Sequence, residues 1–397
     1  MLLKIIELSK EGAQKVSKGA NELYPRDLEG SVKSCTPGEW LYLKNSRKNL
    51  HYLAFVNPLA INSPIAHLTV QQEPTDNTEE QILFELIGNA VTKRNFYLNY
   101  DKGCRLIYGN ADCLPGLIVD SYVNAVVIQI NTAGIDKYRE QIKKYFNDKF
   151  EDKKIYLLDN ENYREREALP IYEKEEIESD LEIVENNLNF IVEKQKVQKV
   201  GYYYDHRENR ARAKSLVEKL TNKPERGLDL FSYVGSWGLN LLAAGVDHIT
   251  FVDQGDMNAS TMKNLDLNGY SKKGTFVREN VFEYLKEQKS EKNKYNIICS
   301  DPPAFCKSKK DERKAYDGYL KLHKMLIDLL EPNSILIACS CTLYIDWNSF
   351  QKNIEEAAFA KQRKIQLLDC CVQGFDHPTT NLNNKNSYLK YFAYRVV

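Results

Sequence analysis

From about residue 190 to the C-terminus, short apolar runs alternate with segments of helical spacing, and no other feature constrains the fold as much. The runs are GLDLF, HITFVD, GTFVREN, YNIICSD, SILIACS, IQLLDCC and YLKYFAYRVV. Between them stand SWGLNLLAAG, MNASTMKNLDLNG, YDGYLKLHKMLIDLL and WNSFQKNIEEAAFAKQ. Buried strands that take turns with helices form a parallel, doubly wound α/β sheet, because each parallel pairing needs a long crossover. No clear helix separates the last two runs, which predicts an antiparallel final pair.

The chain has 397 residues, too many for one ordinary core, so two or three domains are expected. The first 70 or so residues carry β-like runs such as EWLYLKN and LHYLAFVN, with no long helical period, and read as a small β-rich module. QQEPTDNTEE is a polar linker. Residues 79–185 are mixed, with helical spacing in TEEQILFELIGNAVTKRNFY and a strand in NAVVIQIN. The acidic run KEEIESDLEIVEN reads as a solvated hairpin or linker. Hydrophobic residues make up 43% and charged residues 28%, the balance of a soluble globular protein. Lys4, Glu7 and Lys10 interrupt the first apolar stretch, and no run is long enough to span a bilayer, so a cytoplasmic protein without membrane contact is expected. The nine cysteines and six histidines show no zinc-ligand spacing; free thiols and no metal are expected. A net charge of zero weighs against a generally basic nucleic-acid binder and leaves only local basic clusters for that role.

Ligands of a doubly wound sheet sit beyond the carboxyl ends of its strands. The first run of the sheet leads into FSYVGSWG, where a serine and a glycine precede a helix and let backbone approach a ligand. The spacing is not that of the dinucleotide fingerprint. The second run ends at Asp253, whose two oxygens can accept both hydroxyls of a ribose, whether of NAD or of S-adenosylmethionine (SAM). The third ends at Glu279-Asn280, a polar pair that could meet an adenine edge. The fourth ends in CSDPPAF, where two prolines stiffen the exit that carries Asp301. The fifth ends at Cys341, placed to reach a substrate, while Cys339 and Cys299 lie inside their strands and read as core.

DPPAF, SCTLY, the ending DHPTTNLNNKNSYLKYFAYRV, KVGYYYDHRENR and RLIYGNADCLPGLIVDSY together resemble a known family. It comprises the SAM-dependent class I methyltransferases that act on cytosine C5 of bacterial large-subunit (23S) ribosomal RNA and carry an N-terminal PUA module. The resemblance covers essentially the whole chain, in order. It implies a PUA-like RNA-binding domain at 1–72, a small α+β domain at 73–187 and a Rossmann-like methyltransferase domain with a seven-stranded, mostly parallel sheet at 188–397. It implies SAM as methyl donor, held by Phe231, Ser232, Gly235, Asp253, Asn280 and Asp301, with Tyr203, Asp205 and Arg207 from the preceding motif. It implies Cys341 as nucleophile and large-subunit ribosomal RNA as partner; a homodimer is one option for the assembly. The chain departs from the family pattern at Ala304 (usually Lys), Ser236 (Gly), His206 (Gln) and Gly255 (Ser), and Cys113 and Ala168 occupy glycine positions.

Cytosine C5 is a poor nucleophile until a thiolate adds at C6 and makes C5 enamine-like, the role expected of Cys341. Asp301 is expected to stabilise the base at N3. Lys194, Lys196, Lys199, Arg207, Arg210 and Arg212, and then Lys307, Lys309, Lys310, Arg313 and Lys314, form two basic clusters that could meet phosphates. His377 and Tyr344 could line the pocket, and His323 reads as a packed histidine. Three other functions remain open: an NAD-dependent oxidoreductase, a non-catalytic RNA-binding protein, and a methyltransferase acting on an exocyclic amine of RNA.

Overall fold

The computed structural model describes residues 3–197, 201–306, 308–379 and 387–397. Lys199 and Lys307 of the two basic clusters lie outside the described residues. The chain divides into two compact units, Met1–Leu181 and Glu182–Val397.

In the first unit the opening residues form a six-stranded sheet whose long strands are Glu39–Asn45, Leu50–Val56 and Ala66–Gln71. A four-stranded sheet follows, Cys104–Tyr108, Leu117–Ser121, Ala125–Ile130 and Lys154–Leu157. The helix Glu79–Tyr97 starts at a capping box in which Thr78 and Gln81 satisfy each other's backbone N–H groups. Trp40 and Phe55 of the first sheet share one apolar cluster with Leu83 of this helix and Val119 of the second sheet. The first 72 residues and the mixed segment after them therefore have a common core. The β-rich opening also holds a helix that periodicity did not reveal, Lys10–Ser17. It is two turns long and contains Gly12, which lies so close to the Asp27 carbonyl that a Cβ would sit 2.0 Å from its oxygen.

The acidic run is only partly solvated. Leu181–Glu185 pairs with Leu188–Val192 across Asn186 and Asn187, both at positive φ, as a tight hairpin requires. The two-residue period turns Leu181, Ile183 and Glu185 inward, and all three are buried.

The second unit is built on seven strands: β1 (Arg226–Leu230), β2 (His248–Asp253), β3 (Gly274–Arg278), β4 (Tyr295–Ser300), β5 (Leu330–Ser340), β6 (Ile365–Cys371) and β7 (Lys390–Val396). Six of its helices are α1 (Arg207–Glu218), α2 (Ser236–Ala243), α3 (Asn258–Leu267), α4 (Val281–Ser290), α5 (Glu312–Leu329) and α6 (Trp347–Ala360). The sheet order is β3-β2-β1-β4-β5-β7-β6. Strands β1 to β5 run parallel, and β7 is antiparallel to both β5 and β6. The strand order reverses between β1 and β4, which opens a crevice at their carboxyl ends. Helix α4 was absent from the alternating segments read in the sequence. Its buried residues Val281, Tyr284, Leu285 and Gln288 nevertheless follow the helical spacing. Among the described residues no helix is long and apolar enough to cross a membrane.

Candidate active site

The loop leaving β1 is tightly wound. Phe231, Tyr233 and Gly235 all have left-handed φ values, 60°, 49° and 82°. For the two non-glycines this conformation costs about 1–3 kcal/mol each, so neighbouring groups must hold it. Two carboxylates do so. Asp253, at the end of β2, accepts from the N–H of Tyr233 at 3.0 Å and of Gly255 at 2.7 Å. Asp229, fully buried under the loop, accepts from the N–H of Gly238 at 2.7 Å. Burial pushes the Asp229 carboxyl well up from its ordinary range, and that single N–H only partly offsets this. Gly238 has no room for a side chain: a Cβ would lie 2.2 Å from the Phe251 ring. Ser232 is 3% exposed, and its Oγ has no hydrogen-bond partner among the described residues. An orphaned hydroxyl, a carboxylate with acceptor capacity left and a bare backbone turn fit a polar nucleoside ligand such as SAM.

Asp301 leaves β4 beside one indole donor and one imidazole. Trp237 Nε1 donates to its Oδ2 at 3.1 Å, and His206 Nε2 lies 3.4 Å from its Oδ1. The donor atoms of His206, Asp301 and Cys339 fall within 4.8 Å of one another, which raises the question of a metal. The hydrogen bonding answers it. Asn209 Nδ2 points at His206 Nδ1 at 3.1 Å and also donates to the Val372 carbonyl at 3.0 Å, which fixes the amide. The ring proton is then on Nε2, which comes within 3.4 Å of Asp301 Oδ1 but makes no hydrogen bond among the described residues, so a polar ligand group could still meet it there.

Strands β4 and β5 are direct neighbours, so the exits carrying Asp301 and Cys341 come together. Cys341 Sγ stands 3.8 Å from the Pro302 carbonyl, and the residue is partly exposed. Burial pushes its thiol up to about 12; Asp301 and Asp205 push the same way, and Lys390 pulls it back. Cys299 and Cys339 are buried, with thiols driven well up by desolvation, as befits core residues.

Tyr203 is the meeting point. The residue is 48% exposed, and the desolvation of its hydroxyl, with the charges of Asp205, Asp301, Cys341 and Asp253 acting the same way, pushes that group up to about 12. Its ring lies edge-on to Tyr233, 5.3 Å between centroids. Asp205 accepts from Tyr388 Oη at 2.6 Å, which ties this motif to the segment entering β7. Other expected residues are placed differently. The Phe231 ring packs against the apolar core, leaving its backbone to shape the loop. Asn280 is exposed, and its Oδ1 caps α4 by accepting the Phe282 N–H at 3.0 Å. Arg207 is buried, pairs with Asp376 at 3.2 Å and lies over the Tyr204 ring.

Two members of the first basic cluster are not surface cations. Arg207 is occupied as described. Arg210 is 1% exposed and forms a two-pronged bond to Glu185, both contacts 2.6 Å, with a third to the Tyr203 carbonyl at 2.8 Å. A charge spacing in sequence cannot show which face of a helix is buried, and α1 turns these two inward. His377 is buried against Asp376, while His323 is buried against Asn353 and held down to about 4 by desolvation. Sequence reasoning passed over Trp237, Asp376 and Lys390. Of these only Lys390, a lysine inside the apolar run YLKYFAYRV, carried a visible signal.

Residues 148–361 match the S-adenosylmethionine-dependent methyltransferase family. The chain is 32% identical over 300 residues to ribosomal RNA large subunit methyltransferase I of Pseudoalteromonas atlantica, covering 74% of this chain and 75% of the relative. It belongs to this methyltransferase family. The same-named protein of Aliivibrio fischeri is 31% identical over 78% of this chain and 79% of its own length. Among solved structures, a Streptococcus mutans protein described as a SAM-dependent methyltransferase aligns with TM-score 0.76 at 21% identity, over 99% of this chain and 100% of its own. A second, a methyltransferase complexed with S-adenosylhomocysteine, aligns with TM-score 0.77 at 20% identity over the full length of both chains. These two likenesses bear on the fold. Methyltransferase I is thus the family in which the site around Tyr203 is to be read, and SAM is its methyl donor.

Proposed function

We propose that this enzyme forms 5-methylcytosine in large-subunit ribosomal RNA by transient attachment of Cys341 to C6 of the target base. The observation that carries the reading is the pairing of β4 with β5, whose exits bring Cys341 beside Asp301, with Cys341 Sγ 3.8 Å from the Pro302 carbonyl. The relatives named for large-subunit ribosomal RNA support the substrate class. SAM, when bound, supplies an electrophilic methyl group on a good leaving group. Asp253, Ser232 and the backbone of 231–235 would hold it, with Tyr203 and Asp205 closing the other side.

The remaining work falls to the chain's own side chains. The Cys341 thiolate gives its electron pair to C6, and the C5–C6 π pair moves toward C5 and the ring's N3–O2 side. Asp301, held by Trp237, would face the N3 edge, and a proton shared between its carboxyl and N3 would offset the negative charge that develops there. After methylation a water takes the C5 proton, its electron pair re-forms the C5–C6 π bond, the N3 proton returns to Asp301, and sulfur departs with the electron pair of the S–C6 bond. A base buried in a helix cannot reach Cys341, so the target cytosine must be single-stranded or flipped out.

For RNA docking we assign the exposed face of α4, α5 and α6. Lys286, Lys289, Lys321, Lys324 and Lys361 line a groove of about 440 Å³ there, with Asp317 and Asp328 as its acids. A neighbouring groove of about 560 Å³ adds Lys309, Lys310, Arg313 and Lys352. We also assign the six-stranded N-terminal sheet as the PUA-type module, with domain limits at 72 and 187.

The deciding experiment maps methylated nucleosides in ribosomal RNA from cells carrying Cys341→Ser. Loss of 5-methylcytosine at one site, with SAM affinity within about twofold of wild type, is the expected result. Unchanged methylation at that site would end the nucleophile assignment.

A further inference from the structure

Among the described residues Lys390 has no carboxylate partner where a buried lysine needs one. It sits on β7 directly opposite Ser340 of β5, one residue before Cys341. It is 2% exposed. Lysine is almost never so deeply buried unless paired, because its charge must be compensated once water is removed. Its Nζ donates to the carbonyls of Thr342 and Ile345, both at 2.7 Å. Two carbonyls satisfy two of its protons but supply only dipoles against a full charge. Among the described residues Nζ makes no ion pair. Burial lowers the ammonium to about 8, and the first group to raise it again is Cys341, followed by Asp346 and Cys306.

The thiol has the converse problem. Asp301, on the exit of β4, and Asp205, on the segment before α1, both disfavour a thiolate at Cys341, as does burial itself. Lys390, across the strand pair, is the cation that opposes them. The groups facing this pair are thus Asp205, Asp301 and Cys306 from neighbouring segments and Asp346 from the end of the same turn.

We propose that Lys390 is the counter-cation of the Cys341 thiolate and pins the Thr342–Ile345 turn that presents it. The inference rests on Cys341 being the nucleophile. Cys341 releases its thiol proton to bulk water, and the electron pair left on sulfur is the one that forms the S–C6 bond. Lys390 keeps its own proton throughout and touches no substrate, so it is a positioning residue.

The test is the pH dependence of iodoacetamide alkylation at Cys341, followed by peptide mass spectrometry on the full-length protein, for wild type, Lys390→Met and Lys390→Arg. The alkylation rate at neutral pH, where Lys390 is charged, should fall about tenfold in Lys390→Met, the equivalent of one pH unit. Lys390→Arg should restore most of the rate, since it keeps the charge. A folded Lys390→Met protein with the wild-type rate overturns the proposal. Should Lys390→Met not fold, the wild-type rate is followed alone from about pH 6 to 10. Its rise should flatten as Lys390 loses its proton at about 8, and an unbroken tenfold rise per pH unit overturns the proposal. Neither readout depends on methyl transfer. Surviving 5-methylcytosine in Cys341→Ser cells would sink the nucleophile reading, whereas an unmoved alkylation rate would sink only the role of Lys390.

Discussion

Arg210→Met separates a structural from an RNA-binding role for the first basic cluster. Arg210 makes three hydrogen bonds, two to Glu185 and one to the Tyr203 carbonyl. Burial works against its charge, but the Glu185 carboxylate overcomes this and holds the guanidinium proton more tightly than water would. Both residues are 2% exposed or less. Removing one partner leaves the other charge buried and uncompensated, at a cost of about 3–5 kcal/mol. For a unit the size of Glu182–Val397 that lowers the melting temperature by roughly 6–20 °C. Thermal unfolding of Arg210→Met, Glu185→Met and the double variant measures it, and the double should recover much of the loss of either single. RNA affinity against salt concentration supplies the contrast. Arg210→Met should leave the slope of log K against log salt unchanged, whereas Lys321→Gln with Lys324→Gln should reduce it by roughly 0.7–0.9 per lysine removed. Arg210→Met that melts with wild type and flattens the salt slope would refute the structural assignment.

Glu208 gives a pH signature. Burial first, with Asp376 adding and Arg207 opposing, pushes its carboxyl up to about 7. Its Oε2 is buried without a hydrogen-bond partner among the described residues, as suits a protonated acid. A raised carboxyl contributes its full stability below the ordinary range, and that stability is lost as pH rises from 4.5 toward about 7. Wild type should lose on the order of 3 kcal/mol across that window by urea titration and Glu208→Gln much less; parallel curves would refute this. Cys113 and Ala168 adopt left-handed φ values of 62° and 51°. Cys113→Gly and Ala168→Gly should each stabilise the protein by about 0.5–1 kcal/mol in chemical denaturation, the relief of αL strain less the entropy of glycine. A loss of stability in either would show that the strain is already compensated.

The alternation of strands and helices made the sheet legible because burial on both faces writes itself into continuous apolar runs. Asp253, Asp301 and Cys341 were legible for the same reason: a polar residue ending such a run can only sit at the sheet's edge. The helix Lys10–Ser17 was not, since two turns give too few repeats to establish a period. Arg210 and Glu185 misled because charge implies solvent only on average, and their pairing spans 25 residues of chain. The positive φ values at Cys113 and Ala168 agree with the glycines that the family pattern has at those two positions.

The strain in the 231–235 loop and the acidity of the pocket have a common origin. Left-handed Tyr233 turns its backbone N–H to the Asp253 carboxylate, and Asp229 meets the Gly238 N–H at the start of α2. Asp253, with Asp205 and Asp301, suits a cationic sulfonium, and Asp205 and Asp301 oppose a thiolate at Cys341. The two demands conflict, because one pocket must hold a cation and expose an anion a few ångströms away. A cation at the turn after Cys341 reconciles them without weakening the acids, since Lys390 stands on β7 opposite Ser340 and bonds the turn itself. Such a charge has to be buried to act at short range, and a buried charge has to be anchored. The carbonyls of Thr342 and Ile345 provide the anchor, and they belong to the turn that Cys341 begins.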